Sequence, residues 1–286
     1  MRCWGLTRLL KRGLLCLCVA GTLALPASSG FLRPAHCCPG SAVEPCAAVD
    51  DACADAPGWR TGTLPEASSA GAPPADTTAS PAASAQHAAF SPENAAAYFE
   101  EIAFASEYGG DCGAIRKWTR RASLHAQGNC TVEDMAALHR AMQGINAVDG
   151  FPGISLTNGL ADIEVYFVPL DEMGRYVPGY VQDNWGFFET TSDAAGISGA
   201  RIAIASDVTS QTERNHLIFE ELLQSVGLMQ DSSRYEDSIF YGGWTTVQQP
   251  SALDWELLRL LYLPQVAHGM AQRDAMTVAW QELGLK

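Results

Sequence analysis

The sequence predicts an α+β fold, a small mixed sheet flanked by helices, set behind a long N-terminal segment outside that fold. Three observations carry this. Between residues 91 and 286 the apolar spacing alternates between helical and strand periods, in the order helix, strand, helix, strands, loop, strand, helices. Residues 54–90 are instead dominated by Ala, Pro, Ser, Thr and Gly without an apolar period, so they bury too little surface to offset the entropy of ordering and read as a flexible linker. Finally, 47% hydrophobic and 17% charged residues suffice for a sizeable core, which excludes disorder over the whole chain.

Each element has a local signal. Ser91-Pro92-Glu93-Asn94 opens a helix to about Ala105, with Pro92 at its first position. Ala114–His125 reads as a strand, and its basic residues Arg116, Lys117, Arg120 and Arg121 as a solvated face or protected edge. Thr131 caps a helix through about Ile145, with Met135, Leu138 and Met142 on one face. Ile154–Thr157 and Ile163–Val168 are strands, the second alternating Ile163, Val165 and Phe167. Residues 169–196, rich in Gly, Asp and Asn, read as loop, and Gly199–Ser206 as an apolar strand. Helices follow over about Thr209–Val226, Asp254–Tyr262 and residues 271–283.

Residues 1–29 carry Arg2, Arg8, Lys11 and Arg12 ahead of the thirteen-residue apolar run Gly13–Leu25, with Ala27 and Ser29 before a cut. This is the pattern of a secretory signal peptide. The run is shorter than the ~20 residues of a membrane-spanning helix, and no later stretch is apolar enough to span, so an exported protein, periplasmic or secreted, is expected. Cleavage leaves 14 basic against 32 acidic residues. So acidic a chain is poorly suited to nucleic acid or anionic membrane surfaces. Six cysteines remain, an even number in an oxidising compartment, and so disulfides are expected. Cys112 and Cys130 lie far from the others and are expected to pair. Residues 30–53 form a short segment holding Cys37, Cys38, Cys46 and Cys53, whose connectivity stays open, with a zinc knot as the rival reading.

The informative stretch is His216–Tyr241. On a helix, Phe219, Leu222, Leu223 and Val226 share one face, and Glu220, Glu221 and Gln224 lie opposite, with Glu213 and His216 further back on that polar side. Gly227 ends the helix. No P-loop, dinucleotide fingerprint or G-x-S-x-G elbow occurs, which removes several large enzyme classes.

The run E-E-x-x-Q-x-x-G-L-x-x-D-S, residues 220–232, resembles the metzincin zinc-peptidase motif H-E-x-x-H-x-x-G-x-x-H. Glu220, Gln224 and Gln230 stand at the three ligand positions and Glu221 at the general base. Asp237–Tyr241 is similar to the segment before the Met-turn, with Phe240 at the methionine position. EELLQSVGLMQDS, DSIFY, DWELLRLLY and Gly269-Met270 together resemble a secreted bacterial family, the domain of unknown function numbered 2927, over roughly residues 100–280. The resemblance implies a metzincin-like, zincin-like domain over residues 91–286 and a metallopeptidase-like relationship. It implies Glu220, Gln224 and Gln230 as degenerate metal positions and Glu221 as the base if the protein is a hydrolase.

Zinc prefers His nitrogens at about 2.0–2.1 Å. One carboxylate and two amides suit it poorly and lean toward Ca²⁺ or Mg²⁺, or toward no metal. A His216–Glu220 pair is geometrically open, and Arg214, Arg234 or Arg259 would otherwise neutralise the carboxylates. A metal-free hydrolase would need a second carboxylate, such as Asp231 or Asp237. Two functional classes follow: a non-catalytic module binding a peptide or cell-envelope component along a strand edge, or a hydrolase with Glu221 as base. His125, His139 and His268 read as structural or solvent-facing. Trp185, Phe187 and Phe188 read as core or cleft aromatics.

Overall fold

The computed structural model describes residues 90–105 and 113–285. The expected signal peptide, cysteine-rich segment and linker, up to residue 89, and Cys112 lie outside the described residues. Cys130 is a disulfide cysteine. Among the described residues no helix is long and apolar enough to cross a membrane.

Helix α1 (Pro92–Ala103) begins where Ser91 accepts a hydrogen bond from the Asn94 amide and Pro92 takes the first turn. Strand β1 (Ala122–Gly128) starts later than the sequence predicts. Residues 116–121 precede it, and their basic side chains do not form one solvated face. Lys117 is buried, donating to the Leu261 carbonyl at 3.2 Å, whereas Arg120 pairs with Asp162 at 2.6 Å. Helix α2 (Val132–Asn146) carries a full capping box from Thr131 and Asp134. Strands β2 (Ile154–Leu156) and β3 (Ile163–Val168) follow.

The predicted loop over 169–196 is the main departure. It contains a 3₁₀ turn (Leu170–Glu172), the short helix α3 (Met173–Tyr176) and a complete strand, β4 (Gly186–Asp193). Strand β5 (Gly196–Ala205) pairs with β4 as a hairpin. Helices α4 (Gln211–Ser225), α5 (Ala252–Leu261) and α6 (Gln272–Glu282) complete the chain. The first two of these open on capping boxes, Ser210 with Glu213 and Ser251 with Asp254.

The five strands form one mixed sheet in the order β2-β1-β3-β5-β4, parallel except for the antiparallel edge strand β4. The overall class is a mixed α/β domain, a five-stranded sheet flanked by helices. One sheet face packs Leu124, Ile163, Val165, Phe167, Ile202 and Ile204 into the main core with α2 and α4. Helix α1 packs against α5 and α6. On the opposite face, Val168, Met173, Val177, Phe187 and Ala203 form a second cluster under the 3₁₀–α3 segment. The rest of that face carries Ser123, His125, Glu164 and Arg201.

The two sheet edges are finished differently. On β2, the Asn146 side chain accepts from the Ile154 amide at 2.7 Å and donates to the Ile154 carbonyl at 2.9 Å. One side-chain amide thus imitates a neighbouring strand at Ile154. On β4 no described residue plays that part. The Ala200 and Ser206 amides point to β3, bonding Asp162 and Val168 carbonyls, whereas the Ala205 amide points to β4 and bonds the Trp185 carbonyl. Odd-numbered β5 residues therefore face β4. The register Phe187↔Ala203 and Glu189↔Arg201 then aims the odd β4 residues at β5. Phe188 and Thr190, both half-buried, are left with N–H and C=O groups directed outward, whereas Gly186 on the same side is buried.

Candidate functional site

Helix α4 is held by its ends. At its start Asp134, fully buried at N3 of α2, accepts from Arg214 Nε at 2.9 Å and Gln211 Nε2 at 2.7 Å through Oδ1. Its Oδ2 accepts from the Thr131 amide. This carboxylate ties the first turns of α2 and α4 together. At the far end, Trp118 Nε1 donates to the Ser225 carbonyl at 3.1 Å, and the Tyr262 hydroxyl donates to the Val226 carbonyl at 2.8 Å. These carbonyls have no further helical turn to bond, so the two aromatic donors serve as a buried C-cap. Gly227 follows with φ +123°, and a Cβ there would overlap the Arg116 carbonyl oxygen. The motif glycine is needed on both counts.

The polar side of α4 expected from the helical wheel does not face solvent. Every residue from His216 to Ser225 is buried, because β4, β5 and the segment after Gly227 cover it. His216 Nδ1 lies 2.7 Å from the Val247 carbonyl and Nε2 lies 3.4 Å from Glu220 Oε2. The carbonyl can only accept, so Nδ1 carries a proton. Nε2 and Glu220 Oε2 are thus within ion-pair range of each other across one helical turn. Glu221 lies against the strand above it, where a Cβ on Gly186 would overlap Glu221 Oε1 and approach Leu217 Cδ2 to 2.8 Å.

Gln224 Nε2 donates to Asp231 Oδ1 at 2.7 Å, both side chains buried. Gln230, half-buried, donates its amide to the Asp231 carbonyl at 2.9 Å. The turn at Gly227 therefore brings Asp231, one residue beyond the ligand-like position, onto Gln224. The arginines expected near the two glutamates sit elsewhere: Arg214 on Asp134, Arg234 on Glu101, Arg259 on Glu256 and Glu282.

These donors do not fit a zinc centre. An amide that donates its N–H₂ to a carboxylate leaves a single weak oxygen donor, and zinc requires three good ligands. Among the described residues no group of three or more His, Cys, Asp or Glu is arranged to hold a metal ion.

Downstream, Phe240 is core, and Asp237 is exposed. The working residue of DSIFY is Ser238. Its hydroxyl donates to Asp254 Oδ1 at 2.6 Å and accepts from the Tyr98 hydroxyl at 2.8 Å, while Asp254 Oδ2 accepts from the Ile239 and Ser251 amides. Burial raises the Asp254 pKa against the opposing effect of these bonds. Tyr98, Ser238 and Asp254 thus anchor the 231–248 segment that covers α4. Asp254 reads from the sequence only as the start of a helix, and its hold on Ser238 comes from the fold. His125 bonds Glu164 at 3.3 Å, and His268 links the Lys117 amide to the Asp193 carbonyl. Phe187 is buried in the second cluster, and Phe188 and Trp185 are half-buried.

No curated protein matches the sequence. Among solved structures, that of myroilysin is similar with a TM-score of 0.34 and 13% identity, covering 52% of this chain and 98% of that one. The family model described as "Protein of unknown function (DUF2927)" matches residues 92–280, and the chain belongs to that family.

Proposed function

We propose that this is an exported, non-catalytic binding module on a metzincin-like scaffold, taking an extended peptide or a peptide-bearing envelope component by strand addition at β4. The carrying observation is the edge of β4, where Phe188 and Thr190 present outward N–H and C=O pairs at two-residue spacing with no partner among the described residues. That is the pattern an added strand pairs with. On the other edge, the Asn146 side chain takes up both outward groups of Ile154. The ligand-like positions support it too, since Gln224 on α4 and Gln230 after it both donate to Asp231.

The test is metal analysis of the purified full chain, handled without chelators, alongside a peptide-hydrolysis screen. The expected result is zinc well below one equivalent, and no cleavage that Glu221→Gln abolishes. One equivalent of zinc that disappears in Glu220→Ala and Gln224→Ala would overturn the binding-module reading. So would a hydrolysis rate lost in Glu221→Gln.

A further inference from the structure

The partly exposed face of the sheet carries a row of ionisable side chains that crosses four strands. The register aligns His125 on β1 with Glu164 on β3, Glu164 with Arg201 on β5, and Arg201 with Glu189 on β4. From β3 outward the sign alternates, carboxylate, guanidinium, carboxylate, and the last member stands at the β4 edge. Glu164 is fully engaged, accepting from His125, Gln127 and the Ala161 amide. Arg201 is exposed and makes no ion pair among the described residues. Glu189 accepts only a long bond, 3.4 Å, from the Gly179 amide.

Strand geometry explains why Glu189 and Arg201 stay apart while an incoming residue would not. Odd β4 residues face β5, so Glu189 and Arg201 form a hydrogen-bonded antiparallel pair, the kind with the wider side-chain separation. For an antiparallel strand added on the other side of β4, hydrogen bonds form at Phe188 and Thr190. The residue opposite Glu189 then occupies a non-hydrogen-bonded position, about 1 Å closer at Cα. The fifth member of the row is therefore set by the closest contact in the added ladder.

We infer that the extended ligand of β4 carries a lysine or arginine in register with Glu189, flanked on both sides by apolar residues. This rests on the strand-addition reading and gives it a sequence. The flanking side chains would lie on the opposite face, beside half-buried Phe188 and Thr190. A carboxylate opposite Glu189 would be repelled, and an alternating row extended by a cation is favoured. The net charge of −14 draws cationic peptides toward the protein in the same sense.

The probes are three capped pentapeptides, Thr-Val-Lys-Val-Thr and its versions with Leu or Glu at the centre, titrated against the full chain by calorimetry at low salt. The expected order is Lys tightest and Glu weakest, with Lys over Glu by about three- to tenfold. Glu189→Gln should compress that ratio below about twofold, and Glu189→Lys should invert it. Thr190→Pro is the control for the edge itself. It removes an outward N–H without touching the β5 ladder, and proline is tolerated on edge strands. If all three peptides bind equally and all are lost in Thr190→Pro, strand addition stands and the cation requirement is overturned. Where binding is absent, or survives Thr190→Pro unchanged, both are overturned.

Discussion

Replacing Tyr262 by Phe removes one oxygen and little else. The ring keeps its edge-to-face contact with Phe151, centroids 4.8 Å apart, and stays beneath the Lys117 ammonium at 5.2 Å. What is lost are two hydrogen bonds, the hydroxyl to the Val226 carbonyl at 2.8 Å and the Trp118 amide to the hydroxyl at 3.1 Å. Tyr262 and Trp118 are each 1% exposed and Val226 is 0% exposed, so water does not replace the hydroxyl. Leaving a buried donor or acceptor unsatisfied costs about 1–3 kcal/mol. Two such groups give roughly 2–6 kcal/mol. With a urea slope of about 2 kcal/mol/M for a domain of this size, the unfolding midpoint should fall by about 1–3 M at unchanged slope. The assay is reversible urea unfolding followed by tryptophan fluorescence and circular dichroism. A midpoint shift below about 0.2 M, or a gain in stability, would refute the idea that this hydroxyl caps the end of α4.

Three further outcomes follow from the same coordinates. Gly186→Ala should cost about 1–3 kcal/mol by overpacking against Glu221 and Leu217, and pairing it with Glu221→Ala should recover part of that loss; thermal melts of the four variants measure the coupling. Asp162 is held near a pKa of about 2 by Arg120 and the Ser123 bonds, below its unfolded value. Its contribution is thus present above pH 4 and lost as pH falls toward 2. Asp162→Asn should cost about 1 kcal/mol at pH 7, discounted because Arg120 is half exposed, and almost nothing at pH 2 in urea titrations. Burial lowers Lys117 from 10.5 to about 8, so the unfolded chain binds more protons between those values. Stability from this group therefore rises with pH above about 8, and Lys117→Met should flatten that rise by roughly 1–2 kcal/mol between pH 7.5 and 9.5.

Local chemistry made most of the elements legible. Capping boxes such as Thr131 with Asp134, a proline at the first turn of α1 and the alternation of Ile163, Val165 and Phe167 act over three or four residues, within reach of a sequence pattern. Strand β4 was hidden because its Gly-Phe-Phe-Glu-Thr-Thr-Ser-Asp run has no clean alternation and follows a turn-rich stretch. Its register comes from β5, so it exists as a strand only through pairing. The family resemblance placed the site on α4 with Gln230 at the third ligand position beyond Gly227, and helical spacing placed Glu220, Glu221 and Gln224 on its polar side.

By itself, the sequence determined where α4 begins and ends, that its motif carries oxygen and amide donors where zinc peptidases carry imidazoles, and that the chain is strongly acidic. Only the tertiary structure decided that the polar side of α4 is buried, that Asp231 rather than Gln230 receives Gln224, and that Asn146 covers Ile154 on one sheet edge while Phe188 and Thr190 on the other have no such partner among the described residues. The reason is range. A helical period fixes which side chains share a face, but what covers that face arrives from β4 and from residues 231–248, and no local pattern encodes their approach.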